Sequence, residues 1–167
     1  MIYKIVGVVI LLVAGGYVSM GITRVERRRL GVLDSYISLL FYIKGQIGCF
    51  AMPIEDILAN ADPALLAGCM GYPRLPREAT VVVDVPALPD LIRDSRVYLE
   101  PETERLLTAF SAELGRTYRE EQVARCEHYI EMLGEERTRL VETVPGRIRT
   151  NSVLCLCCIL GVAVLLW

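Results

Sequence analysis

The chain contains little of what enzymes use for chemistry. It has one histidine, one tryptophan and 7% aromatic residues among 167. It lacks the phosphate-binding G-x-x-x-x-G-K-[ST] loop, the dinucleotide-binding G-x-G-x-x-G pattern and the zinc-binding H-E-x-x-H pattern. The histidine, His128, lies beside Glu127 and near Glu131, but acid–base catalysis or metal binding needs further partners and a pocket. The sequence predicts a solvated histidine, no catalytic, cofactor-binding or metal-binding residue, and a protein that is not an enzyme.

Charge is absent from two runs, residues 5–22 and 152–167, whereas every charged residue except Lys4 lies between them. A membrane-spanning helix needs about 20 apolar residues, and flanking arginines extend a shorter run by snorkelling. The sequence therefore predicts one transmembrane helix at residues 1–22 and another at residues 151–167.

The domain between these helices, residues 23–150, is predicted to be cytoplasmic. Arginines flank both runs on its side, as is typical of cytoplasmic flanks, and Lys4 alone lies on the other side. We expect a two-pass protein of the cell membrane with both termini on the far face. A cleaved signal peptide at residues 1–21 is the alternative, but no A-x-A site follows the apolar run. The flanking arginines are Arg24, Arg27, Arg28, Arg29, Arg137, Arg139, Arg147 and Arg149.

The charge of the domain bears on its partners. All 20 acidic residues but only 17 of the 18 Lys and Arg lie within residues 23–150, a formal charge of −3. Nucleic-acid binding is typical of basic surfaces, so we expect no nucleic-acid partner. The basic flanks attract anionic membrane lipid, although the positive-inside pattern already explains them.

The cysteines form no C-x-x-C pairs of the kind that bind metal, and a cytoplasmic domain keeps its thiols reduced. We expect small apolar packing residues. For the C-L-C-C cluster in the second run, a soft metal or an acyl chain is the alternative. The cysteines are Cys49, Cys69, Cys126, Cys155, Cys157 and Cys158.

Helical periodicity dominates the domain and predicts an all-α helical bundle. No proline interrupts the chain from the first uncharged run to Phe50, which predicts one long helix. Pro53 suits the first turn of a short helix ending near Asn60, and residues 63–70 predict another. The long helix carries a seam of alternating three and four spacing at Leu30, Leu33, Ile37, Leu40, Lys44 and Ile47.

Residues 71–90 differ, because four prolines there exclude a continuous helix. We predict an irregular segment, with an edge strand at residues 80–85 as the alternative. No element is predicted for residues 91–98.

A turn between two helices is predicted around Gly115. Pro101 begins the first helix, and Gly115 ends it in a left-handed conformation. Thr117 and Glu120 have the spacing of a capping box, which predicts that Thr117 begins the second helix. This segment, the corner, is either ordinary hairpin packing or a contact surface for a partner. Its residues are Phe110, Leu114, Gly115, Thr117, Glu120 and Gln122.

The second helix carries a coiled-coil-like seam. We expect Arg137 in it to snorkel to water or, less readily, to pair with an acidic residue of another chain. Two exposed i,i+4 ion pairs, Glu121 with Arg125 and Glu135 with Arg139, support the helix, and Pro145 interrupts it before the second run. The seam residues are Val123, Cys126, Ile130, Leu133, Arg137, Leu140 and Val144.

The two-anchor layout and several motifs resemble the stage III sporulation protein AB family. Residues 106–115 read L-L-x-x-F-x-x-x-L-G, with a glutamine seven residues later and then a helix into a terminal apolar run. In the first half the resemblance is carried by Arg27, Leu30, Leu40, Ile47, Pro53 and Ile54.

This resemblance implies a non-enzymatic scaffold of the secretion-like channel complex that endospore-forming bacteria assemble between mother cell and forespore. Its domain would be similar to type II secretion platform proteins and would lie on the mother-cell side of the forespore membrane. The implied partners are a stage III sporulation protein AA-like secretion ATPase and small polytopic channel proteins, with a homo-oligomer as a further option. The residues alone leave two alternatives: a membrane-bound regulatory or signalling module that dimerises through its seam, and a membrane enzyme whose site lies in the proline-rich stretch.

Overall fold

A computed structural model describes residues 2–50, 54–72 and 87–166. Side chains are described for residues 21, 23–50, 56–72 and 87–150 and for four positions beyond. Every regular element in these ranges is an α-helix, so the fold is all-α, as predicted. The helices are α1 (Ile2–Phe50), α2 (Ile54–Ala59), α3 (Pro63–Cys69), α4 (Leu88–Ser95), α5 (Pro101–Glu113) and α6 (Arg119–Leu166).

The chain divides into two compact units. Unit 1 comprises Met1–Arg27 and Leu140–Trp167, and unit 2 comprises Arg28–Arg139. The first and last helices, of 49 and 48 residues, contribute to both units. The long helix to Phe50 is confirmed.

The core of unit 2 is lined by apolar side chains from all six helices. Tyr36 of α1 is fully buried, and its hydroxyl lies 2.7 Å from the Ser95 hydroxyl of α4, which satisfies both groups. The buried α1 positions are Val32, Leu33, Tyr36, Leu39, Leu40, Ile43 and Ile47. They occupy a wider arc than the predicted seam, in which Leu30, Ile37 and Lys44 are only half-buried. A helix that packs against several neighbours needs such an arc.

The short helices follow local signals. Asp62 caps α3 by accepting a hydrogen bond from the Ala64 N–H at 2.8 Å, and Pro63 opens the first turn. Gly71 then adopts a φ of +76°, and a Cβ there would lie 2.7 Å from the Tyr98 ring, so both backbone and space require glycine. The predicted helices at residues 63–70 and near 54–60 are confirmed, while Pro53 lies outside the described residues.

The helix α4 was not predicted. It begins at Leu88, inside the stretch predicted to be irregular, and it buries Leu88, Leu91 and Ile92. Pro89 lies in its first turn, where proline is compatible with a helix because no N–H is required. The predicted irregular character of residues 73–86 and the alternative strand at residues 80–85 fall outside the described residues.

Within the part of the chain that the structure describes, no helix is both long and apolar enough to cross a membrane. The predicted transmembrane segments at residues 1–22 and 151–167 lie almost entirely outside the residues whose side chains are described, and they stay a prediction. The predicted break at Pro145 is wrong, because α6 continues through it. A single proline removes one helical hydrogen bond without ending the helix.

Candidate functional site

The two long helices run antiparallel in unit 2 with a constant register. Arg137 Nε donates to Asp34 Oδ1, and Lys44 Nζ lies 2.7 Å from Glu127 Oε1. A Cβ added at Gly48 would lie 3.8 Å from Val123 Cγ2, an ordinary van der Waals distance. The residue numbers of each pair add up to 171, and the pairs span about 21 Å of helix. The pairing of α1 with α6 is therefore held at one register along this length.

Both interpretations of Arg137 are wrong. The two interpretations were snorkelling to water and pairing with an acidic residue of another chain. The Arg137 side chain instead pairs with Asp34 of the same chain, and both side chains are about half exposed. The hydrogen bond and the charge of Asp34 raise the pKa of Arg137. Lys44, which the first seam included, pairs in the same way with Glu127. Two seam positions therefore carry cross-helix ion pairs instead of core contacts.

The rest of the α6 seam is partly confirmed. Its predicted members Cys126, Leu133, Leu140 and Val144 are buried, whereas Val123 and Ile130 are half-buried. The buried stripe also contains Gln122, Tyr129 and Glu136, each one residue earlier than a predicted position. The stripe is wider because α6 contacts α5 as well as α1: the rings of Phe110 and Tyr129 meet edge to face, 5.4 Å between centroids.

Two arginines of the first basic cluster contact the connection between α4 and α5. Arg28 lies over the Tyr98 ring, 5.4 Å from its centroid, and donates to the Tyr98 hydroxyl at 3.2 Å. Arg29 lies 3.6 Å from a carboxylate oxygen of Glu100. In α6, Arg139 pairs with the buried Glu136 at 2.7 Å.

In the corner, the predictions for Phe110 and Gly115 are confirmed. The Phe110 side chain is 2% exposed and packs on Tyr129. Gly115 has a φ of +85°, the left-handed conformation that glycine adopts without strain. Leu114 ends α5 with extended backbone and is half-buried.

The predicted capping box is wrong. The helix α6 begins at Arg119, with the Gln122 N–H donating to the Tyr118 carbonyl at 2.9 Å, so Tyr118 occupies the capping position. Thr117 lies one residue too early, and its buried hydroxyl has no hydrogen-bond partner among the described residues. Glu120 is exposed in the first turn of α6, where its carboxylate interacts favourably with the positive end of the helix dipole.

An ion-pair bridge joins the two helices of the corner. Arg125 contacts Glu113 of α5 and Glu121 of α6, each at 2.8 Å, which raises the pKa of its guanidinium. The pair with Glu121 was predicted. The pair with Glu113 was missed, because helical spacing carries no information about contacts across a turn.

A small cleft lies beside this bridge. It is lined by Phe110, Glu113, Leu114, Gln122 and Arg125, and its volume is about 10 Å³, the space of one water molecule. Such a cleft is too small for a substrate or cofactor. Gln122 is only 9% exposed, which favours the packing interpretation of this position over direct contact with a partner. Tyr118, which lies between the corner residues Thr117 and Glu120, is 89% exposed.

The residues considered for chemistry, His128, Glu127 and Glu131, are exposed on α6. His128 is exposed and Glu127 pairs with Lys44. No group of three His, Cys, Asp or Glu that could hold a metal occurs among the residues searched, which are the described ones. Burial raises the pKa of Cys69 to about 12 and that of Cys126 to about 11, so both stay protonated core thiols. Cys49 is exposed rather than packed, and Cys155 and Cys158 lie outside the described side chains.

Comparisons of the chain with models of protein families, with characterised proteins and with solved structures gave no significant match.

Proposed function

We propose that the chain is a membrane-anchored helical scaffold without catalytic activity, held at the bilayer by both ends. The observation that carries this proposal is the register of α1 against α6. Continued along both helices, it brings residue 5 level with residue 166 and residue 22 level with residue 149. Residues 5–19 of the first uncharged run then lie level with residues 152–166 of the second, and the first run extends three residues further towards unit 2. If the two uncharged runs were not membrane anchors, their positions in the sequence would not be expected to match a register that ion pairs fix elsewhere in the helices. Two membrane anchors that lie side by side require this match.

The cellular role is proposed from the resemblance to the stage III sporulation protein AB family. In this role unit 2 lies on the cytoplasmic, mother-cell side and couples a secretion-type ATPase to small polytopic channel proteins. The small volume of the cleft at the corner and the exposure of His128, Glu127 and Glu131 to solvent support a structural rather than a catalytic role. The regulatory alternative, dimerisation through the α6 seam, is less favoured because Cys126 and Leu133 are already buried within unit 2.

Co-purification tests this role. The full-length chain, tagged and extracted from sporulating cells in mild detergent, should retain the ATPase and the polytopic proteins. Tyr118→Ala, at an aromatic side chain within the corner segment that is 89% exposed, should reduce recovery of the ATPase if the corner is the contact surface. Val97→Ala is the matched control, because Val97 is similarly exposed, at 76%, in the connection between α4 and α5. Recovery of the anchored chain without ATPase or channel proteins would contradict the scaffold role.

A further inference from the structure

One side of the α1–α6 pair in unit 2 carries an exposed aromatic ring. Residues seven apart lie on the same side of a helix, because seven residues make about two turns. Phe41 therefore lies on the side of α1 that contacts α6, level with Ile130. The Phe41 side chain is nevertheless 54% exposed, and Ile130 is half-buried. On either side of this level the helices meet, at Asp34 with Arg137 and at Gly48 with Val123.

Two stripes of residues border this ring, and their other side chains are small or acidic. Each stripe follows the i, i+4, i+7 spacing of one side of a helix, and every position in it is exposed or half-buried. A Cβ added at Gly45 or Gly134 would meet nothing within 4 Å, so the space beside both is open. We call the two stripes together the open face. They consist of Asp34, Ser38, Phe41, Gly45 and Gly48 on α1 and of Glu120, Ala124, Glu127, Glu131, Gly134 and Thr138 on α6.

The open face has an excess of negative charge. Its stripes contain four acidic residues and no Lys or Arg. Lys44 and Arg137 reach Glu127 and Asp34 from neighbouring positions on the two helices. Four carboxylates against these two cations leave a formal charge of −2.

These properties indicate the chemistry of an occupant. Small side chains let a third helix pack closely on α1 and α6, and a partly exposed aromatic side chain is a typical anchor for a bound helix. The excess of carboxylates is complemented by cations on the approaching surface. A second copy of the chain would bring the same excess of carboxylates, and a membrane surface with anionic lipids repels them. Both of these occupants are therefore disfavoured.

We infer that the open face binds a basic amphipathic helix of a partner protein. The apolar side of that helix packs on Phe41 and Ile130, and its Lys and Arg side chains meet Glu120 and Glu131. The inference rests on the scaffold role proposed above and defines the chemistry of one of its partner contacts.

Photo-crosslinking in the cell identifies the occupant. The full-length chain carries Phe41→p-benzoylphenylalanine, and mass spectrometry identifies the segment that becomes attached to it. We expect a segment of another protein that has a net positive charge and apolar residues at alternating three and four spacing. Tyr72→p-benzoylphenylalanine is the control, because Tyr72 is similarly exposed, at 61%, outside the open face, and it should not attach to that segment. Attachment at position 41 to a second copy, to lipid alone, to a neutral or acidic segment, or to nothing would overturn the inference.

Titration then tests the two features of the face separately. The attached segment is synthesised as a fluorescent peptide and titrated with the purified full-length chain in detergent, and fluorescence anisotropy gives the dissociation constant. Phe41→Ala and Glu131→Lys should each raise this constant at least about fivefold. The matched controls Tyr72→Ala and Asp94→Lys, at exposed positions outside the open face, should change it less than about twofold. A constant unchanged by either face variant, or raised equally by its control, would overturn the inference.

Co-purification separates this inference from the scaffold role. If the unaltered chain retains the ATPase and the polytopic proteins but position 41 attaches to no basic helix, the open face is contradicted and the scaffold role stands. If position 41 attaches to a basic helix but neither the ATPase nor the polytopic proteins are recovered, the open face is supported and the scaffold role is contradicted.

Discussion

Phe110 is the residue on which the packing of the corner depends. Its ring is 2% exposed and meets Tyr129 edge to face. Replacement by alanine removes a buried ring and leaves a cavity, so Phe110→Ala should lower the free energy of unfolding by about 3 to 5 kcal/mol. Tyr118→Ala is the control, because that side chain is 89% exposed, and it should change stability by less than about 0.5 kcal/mol. Urea unfolding of the full chain, followed by circular dichroism, measures both; equal midpoints would contradict the packing of Phe110.

Gly115 is the residue on which the turn depends. An alanine at its φ of +85° places a Cβ against the following carbonyl, so Gly115→Ala should cost about 1 to 2 kcal/mol. Gly134 lies inside α6 with nothing within 4 Å of an added Cβ. Gly134→Ala should therefore stabilise the chain by about 0.5 to 1 kcal/mol, because alanine favours a helix. Melting temperatures that shift in the same direction in both variants would contradict the assigned conformations.

The cysteines differ in reactivity for a physical reason. Alkylation requires the thiolate, and burial raises the pKa of Cys69 to about 12 and of Cys126 to about 11, whereas Cys49 is exposed. A raised pKa leaves less thiolate at any lower pH. Iodoacetamide at about pH 8 should modify Cys49 at least tenfold faster than Cys126. Peptide mapping of the native chain gives the rates, and similar rates at both sites would show that Cys126 is not in the core.

At the scale of the elements, the α1–α6 register depends on ion pairs between exposed groups. Asp34→Arg or Arg137→Asp alone places like charges opposite each other and should lower the melting temperature. The double exchange restores an opposite pair and should recover most of the loss. The same exchange of Glu102 with Arg105, within one turn of α5, is the control for helix-local effects. A double variant no more stable than the singles would contradict the pairing of Asp34 with Arg137.

Much of the helix order could be predicted from local signals. A proline suited to the first helical turn predicted the start of α3 and of α5, and the absence of proline up to Phe50 predicted that α1 is one long helix. The helix α4 was missed because Pro89 was counted as a helix breaker, although it lies in the first turn of that helix. The seam of α6 was off by one residue at three of its seven positions. A 3,4 pattern describes contact with one neighbour, whereas α6 contacts two.

The partners at the candidate site could be predicted only within one helix. The i,i+4 pair of Glu121 with Arg125 follows from helix geometry. Asp34 and Arg137 are 103 residues apart, and Glu113 and Arg125 are separated by a turn, so their pairing depends on tertiary packing. The buried hydroxyl of Thr117 shows the same limit: the capping-box spacing is present, but the helix begins two residues later than that residue.

At the scale of the whole molecule, the charge pattern and the helix register lead to one arrangement. Unit 1 holds the uncharged runs and five Lys and Arg against two acidic residues, and unit 2 holds the excess of acidic residues. We propose that both chain termini lie on one side of a membrane and unit 2 on the other. Cys49 of unit 2 is the natural probe of this arrangement because it is exposed, whereas Cys126 would resist labelling on either side.

The most direct measurement is labelling with a membrane-impermeant maleimide in cells that carry the chain with one cysteine added after Trp167. With both anchors in place, the added cysteine should be labelled in intact cells, and Cys49 only after the membrane is permeabilised. Peptide mapping distinguishes the two sites. Labelling of Cys49 in intact cells, with the added cysteine protected until permeabilisation, would contradict the cytoplasmic placement of unit 2; labelling of both, or of neither, in intact cells would contradict the two-anchor arrangement itself.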